Sequence, residues 1–121
     1  MEKTIDISRM SYKEIDDLLI RWTNELTVEQ IPRELCPTGN LEDAFMVLNA
    51  IRKYQYPVKI RGDAGYDWEY WKVSIYDPIG EKVLSEEEEW VKFNSGDKLD
   101  LPLTISKCCL KFFVNEKGKK K

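Results

Sequence analysis

Histidine is missing from the chain altogether. The side chain that most often serves as general acid or base is therefore absent, and so are the mixed cysteine–histidine ligand sets of structural zinc. Cysteine is scarce: Cys36 stands alone, and Cys108 and Cys109 are adjacent. Three cysteines without framework or metal-knuckle spacing read as reduced thiols rather than disulfides. Nor is there a phosphate-cradling glycine-rich loop or a serine elbow, and no run approaches the ~18–20 apolar residues needed to span a bilayer. The opening segment, MEKTIDISRMSYKE, has no apolar stretch of the signal-peptide kind, so a cytoplasmic location is expected. A net charge of −3 argues against broad phosphate neutralisation on nucleic acid.

What is present describes one globular domain. The 121 residues are too few for two comfortable domains, and 42% hydrophobic residues suffice for a core without staples. Ser11 followed by Glu14 forms a capping box, with Met10 and Ile15 at the positions of a hydrophobic staple. Ile15, Leu18, Leu19, Trp22 and Leu26 then recur at helical spacing, with Trp22 a core anchor. Thr27 to Asn40 carries two prolines and a Gly-Asn and reads as a loop. Asn40 caps a second helix whose buried face is Leu41, Ala44, Phe45, Leu48 and Ile51, and Tyr56-Pro57 stops it.

Strand periodicity follows. Val58 to Arg61 alternates apolar and polar, and Gly62 to Gly65 reads as a turn. Trp68 to Tyr76 is a second strand, with Trp71, Val73 and Ile75 directed to the core and Tyr70, Lys72, Ser74 and Tyr76 to the other face. Asp77-Pro78-Ile79-Gly80 has type I turn preferences. A third strand begins near Glu81 and is expected to reach Phe93 with irregularity at the glutamates. After a loop at Asn94–Lys98, Asp100 and Pro102 open a helix carrying Ile105, Cys108, Cys109, Phe112 and Phe113 on one stripe. The fold class is thus α+β: a three-stranded antiparallel meander packed with helices, in the order α-α-β-β-β-α. Residues 1–121 form one domain, with an ordered core of about 11–114 and a basic, frayed tail at 115–121.

Chemistry is harder to find. The run Glu86 to Glu89 lacks the interleaved spacing of a calcium loop and reads as a solvated face or edge protection. Arg61-Gly62-Asp63 matches an integrin-type tripeptide, but three letters recur by chance. Asp63, Asp67, Glu69 and Asp77 include no pair placed beside an acid or nucleophile. No catalytic, metal or cofactor site is therefore expected. The candidate binding residues are Arg61, Tyr66, Trp68, Tyr70, Lys72 and Tyr76, aromatic and basic groups on the second sheet face. Two readings stay open there: packing or contact with a protein, or stacking of a nucleotide base with Lys59, Arg61 or Lys72 on phosphate.

The succession SYKEIDDLLIRW, CPTGNLEDAFMVLNAIRKYQYPVKIRG, EYWKVSIYDPIGEKV and LPLTISKCCLKFF resembles the bacteriophage domain called the phage ABA sandwich, over about Ser11 to Phe113. Pro37-Thr38-Gly39-Asn40 stands where that family usually has Tyr-Ser-Thr-Asp, and Cys108 and Cys109 stand where it has alanines. The resemblance implies a phage or prophage accessory protein in the bacterial cytoplasm. It would act by binding a host or phage protein, in counter-defence or as a homo-oligomer, or by sequestering a cyclic or ADP-ribose-type nucleotide signal. It implies no catalytic residue.

Overall fold

The computed structural model describes residues 9–27, 30–92 and 100–119. Helices α1 (Tyr12–Leu26) and α2 (Leu41–Lys53) precede strands β1 (Val58–Ala64), β2 (Trp68–Tyr76) and β3 (Val83–Lys92), and helix α3 (Leu101–Lys119) follows. The strands form one antiparallel sheet in the order β1-β2-β3. The expected α+β order is therefore the observed one. The expected loop at Asn94–Lys98 and the end of the third strand at Phe93 lie outside the described residues.

Both early helices start where their caps dictate. Ser11 Oγ accepts from the Glu14 N–H at 3.2 Å, and Glu14 Oε1 accepts from the Ser11 N–H at 3.1 Å. The Ser11 N–H, with the Ser11 hydroxyl acting beside it on the carboxyl, holds the Glu14 carboxyl below its usual range. Asn40 Oδ1 accepts from the Asp43 N–H at 3.1 Å. The loop between the helices is pinned to α1 by a buried carboxylate. Asp16 accepts from the Thr38 N–H at 2.9 Å and from the Thr38 hydroxyl at 3.1 Å. Burial pushes the Asp16 carboxyl above its usual range, and the two Thr38 bonds only partly offset it.

All three helices lie on one side of the sheet, with α3 in the middle. It packs on β2 and β3 and also meets α1 and α2. Its stripe of Ile105, Cys108, Cys109, Phe112 and Phe113 is buried as expected, but so are Thr104, Ser106 and Leu110. A helix buried on more than one flank belongs between layers. Phe112 meets Tyr56 with ring centroids 4.8 Å apart, and Phe113 meets Trp22 of α1 at 6.1 Å. Small residues let α3 approach the sheet closely. The Ser85 hydroxyl donates to the Cys108 carbonyl at 2.6 Å, and Cys108 Sγ lies 3.4 Å from the Val73 carbonyl oxygen. Burial pushes the Cys108 thiol up to about 11, and drives the Cys109 thiol well above its usual value, so neither is a ready nucleophile.

Four sequence expectations need correction. Gly62 is not in the turn but inside β1, opposite Trp71, because a Cβ there would lie 2.9 Å from that indole. Trp71 itself has core parity but is only partly buried, lying against Gly62 with its N–H donated to Glu69 at 3.1 Å. Leu41 is 40% exposed rather than on the buried face. Helix α3 runs on to Lys119, past the expected limit at 114, and Asn115 Nδ2 donates to the Leu84 carbonyl at 3.1 Å.

Candidate functional site

Among the described residues, helices cover one face of the sheet and leave the other bare, and alternation assigns each side chain. Ile75 pairs with Val58 and Ser85, and Val73 with Ile60 and Glu87, on the covered face. The opposite parity places Lys59, Arg61 and Asp63 of β1 beside Trp68, Tyr70, Lys72, Ser74 and Tyr76 of β2 on the bare face. From β3 come Glu86, Glu88, Trp90 and Lys92. The only register irregularity in β2–β3 falls between Ile75 and Tyr76, opposite Val83 to Ser85, and not at the glutamates.

This parity divides the acidic run into two working pairs, so it is not simply a solvated face. Glu87 and Glu89 point to the helix side. Glu87 pairs with Lys111 of α3. Glu89 accepts from the Thr104 hydroxyl at 2.7 Å and from the Asp100 N–H at 3.2 Å, securing the start of α3. Glu86 and Glu88 point to the bare face, where Glu86 pairs with Lys72 and Glu88 accepts from the Tyr70 hydroxyl at 2.8 Å. That bond to Glu88, with lesser desolvation, pushes the Tyr70 phenol above its usual range.

At one end of the bare face the rings form a row. The Tyr70 and Trp90 centroids are 4.3 Å apart, and Trp90 and Trp68 are 5.3 Å apart. Trp90 lies on top and is 61% exposed, while Tyr70 beneath it is only 9% exposed. Sequence reasoning missed Trp90, and expected Tyr70 to be exposed. The cross-strand register that stacks one on the other is not visible in either strand alone. Trp68 is fixed by Gly65, where any Cβ would collide with the indole nitrogen at 2.1 Å. Tyr66 stands fully exposed in the adjoining turn, apart from the row.

At the other end a depression of about 60 Å³ is lined by Lys59, Arg61, Lys72, Ser74 and Tyr76. Arg61 also pairs with Asp63 at 3.3 Å. The structure thus separates the six expected residues: Trp68 and Tyr70 join Trp90, while Arg61, Lys72 and Tyr76 gather round Ser74.

Elsewhere the chemistry-bearing groups are dispersed. Asp77 Oδ1 accepts from the N–H groups of Gly80, Glu81 and Lys82 in its turn. Desolvation opposes those bonds, yet together they hold its carboxyl below the usual range. Glu69 serves Trp71 and Asp63 serves Arg61, so none of these carboxylates is paired for acid–base work. A larger groove of about 480 Å³ runs between α2 and the loop after α1, lined by Ile31, Met46, Ala50 and Tyr54, with Lys53 its only charge among the described residues. No described helix is long and apolar enough to cross a membrane. No protein-family model, no curated protein and no solved structure matches the chain.

Proposed function

We propose that the chain is a non-catalytic accessory protein of a phage or prophage, acting in counter-defence by binding a host or phage protein through the bare face of its sheet. The single observation that carries the binding mode is the Trp68–Trp90–Tyr70 row, topped by a mostly exposed tryptophan. Exposed aromatic anchors beside charged groups are the usual energetic centres of protein interfaces. The partner would offer an apolar recess for Trp90 and carboxylates toward Lys59 and Arg61. The phage setting is drawn from the resemblance of the sequence motifs.

The test is affinity capture from phage-infected bacteria, followed by purification of the captured protein and calorimetric titration. Trp90→Asp and Tyr66→Asp should each weaken binding at least about tenfold, roughly 1.4 kcal/mol. Glu42→Lys, on the exposed side of α2, should change nothing. Unchanged affinity in both aromatic variants would overturn this reading.

The basic depression favours a second reading, sequestration of a nucleotide signal. Ser74, only 4% exposed, is among its lining residues. It lies four positions along β2 from Tyr70, roughly 13 Å. That span would let phosphates meet Lys59, Arg61 and Lys72 while a base stacks on Trp90. Thermal shift against cyclic nucleotides and ADP-ribose derivatives tests it; a flat response to the whole panel would remove it.

A further inference from the structure

Strand β1 is one edge of the sheet. Natural edges are blunted by proline, bulges, charged side chains or a covering element. The charges of β1, Lys59, Arg61 and Asp63, are of mixed sign, so two antiparallel copies can pair them. The β3 edge has such devices: four consecutive glutamates, and Asn115 of α3 occupying the Leu84 carbonyl. Strand β1 has no proline and no register shift against β2, and Lys59 and Arg61 to Ala64 are exposed.

Its unused backbone groups can be assigned. The Tyr76 N–H donates to the Pro57 carbonyl at 2.8 Å, and the Gly65 N–H donates to the Trp68 carbonyl at 2.9 Å. Hydrogen-bonded pairs alternate along an antiparallel ladder. Residues 57, 59, 61, 63 and 65 therefore turn their backbone groups toward β2, and Val58, Ile60, Gly62 and Ala64 turn theirs outward.

We propose that β1 is a self-association edge, on which a second copy of the chain adds its own β1 antiparallel, with the two-fold axis at Gly62. In this register Gly62 faces Gly62 of the second copy, Ile60 faces Ala64, and Arg61 faces Asp63, twice over. Ile60, Gly62 and Ala64 each meet an outward-turned residue, so the ladder continues without a mismatch over this stretch, and Val58 lies beyond it. An axis at Arg61 opposes two arginines, one at Asp63 opposes two aspartates, and one at Ile60 opposes Lys59 to Arg61. The Gly62 register alone among these sets opposite charges across the axis and no like pair. Such isologous two-fold contacts are the commonest way for identical chains to associate.

The product is a six-stranded sheet. Ile60, Gly62 and their paired residues all have helix-side parity, so both helical layers lie on one side. The two bare faces then merge into one surface, with the two basic depressions near the axis and the two aromatic rows at the flanks. The association shares Arg61 with the proposed binding surface but is read from the mass of the chain alone, so its failure and failure of the partner-binding reading are distinguishable.

Light scattering coupled to size exclusion, at micromolar to submillimolar loading, should give twice the 14.3 kDa chain mass at the upper end. Arg61→Asp alone and Asp63→Arg alone each place like charges across the axis and should be monomeric. The double exchange in one chain should restore the dimer. Mixing the two single variants should also restore it, as a heterodimer, because opposite charges then face each other at every pair. Ala64→Pro removes an outward N–H and spares the bonds to β2, so it should be monomeric with an unchanged circular dichroism spectrum. A wild-type chain monomeric throughout the range would overturn the proposal. So would single charge variants that dimerise as well as wild type, or a mixture that stays monomeric.

Discussion

Ile75 and Tyr76 are consecutive in β2 but belong to opposite faces of the same sheet, and the two faces are satisfied in different ways. On the covered face, contacts run perpendicular to the sheet. Ser85 bonds to Cys108, Glu87 to Lys111 and Glu89 to Thr104, all reaching α3. On the bare face they run sideways within the sheet, Lys72 to Glu86, Tyr70 to Glu88 and Trp90 to Trp68. A face tied to another layer specifies the fold. A face satisfied laterally keeps its outer surface available for recognition.

The largest expected effect separates those two neighbours. Ile75→Ala removes a fully buried side chain and should lower stability by about 2–5 kcal/mol in urea denaturation. Tyr76→Ala should cost about 1 kcal/mol or less. Equal losses would break the distinction between the faces.

Next comes the buried anchor of the helical side. Asp16→Ala should cost about 1–3 kcal/mol, since it orphans the Thr38 N–H and hydroxyl, while Asp16→Asn should cost less. Because burial raises the Asp16 carboxyl in the folded state, folding favours its protonated form. The resulting stabilisation is fully present below the unfolded carboxylate value and is lost as pH rises through the raised folded value. The stability of wild type relative to Asp16→Asn should therefore decline with rising pH across that acid window. A difference independent of pH would show that Asp16 titrates normally.

A smaller contrast lies within the glutamate run. Glu89→Ala removes the acceptor at the start of α3 and should cost about 1–2 kcal/mol, whereas Glu88→Ala should cost about half as much or less. Thermal melts of the two variants would sharpen the assignment of alternate glutamates to opposite faces.

Much of this was legible in the sequence because the signals were local. Ser11 with Glu14, Asn40 as a cap, and the alternation of Trp68 to Tyr76 each depend on residues a few positions apart. What was hidden depends on neighbours distant in sequence. Identical glutamates carry no alternation, so the run concealed both its own division of roles and the strand parity of Trp90. Gly62 looked like punctuation, but it makes room for Trp71 across the β1–β2 pair. The burial of Thr104, Ser106 and Leu110 follows from α3 lying between layers, a position that no single stripe reveals. Five of the six candidate residues lie on the face opposite the helices and Tyr66 in the turn beside it, yet the exposed centre of the aromatic row was absent from the choice.

Trp90 is therefore the place to test the account most directly. Its ring contributes two aromatic contacts and is otherwise mostly exposed. Equilibrium urea denaturation of Trp90→Ala should show a loss of about 1 kcal/mol, the worth of such ring contacts, with an unchanged denaturant slope. A loss of about 3 kcal/mol or more, the cost of emptying a core site, would place Trp90 in the structural core and contradict a bare face held in reserve for recognition.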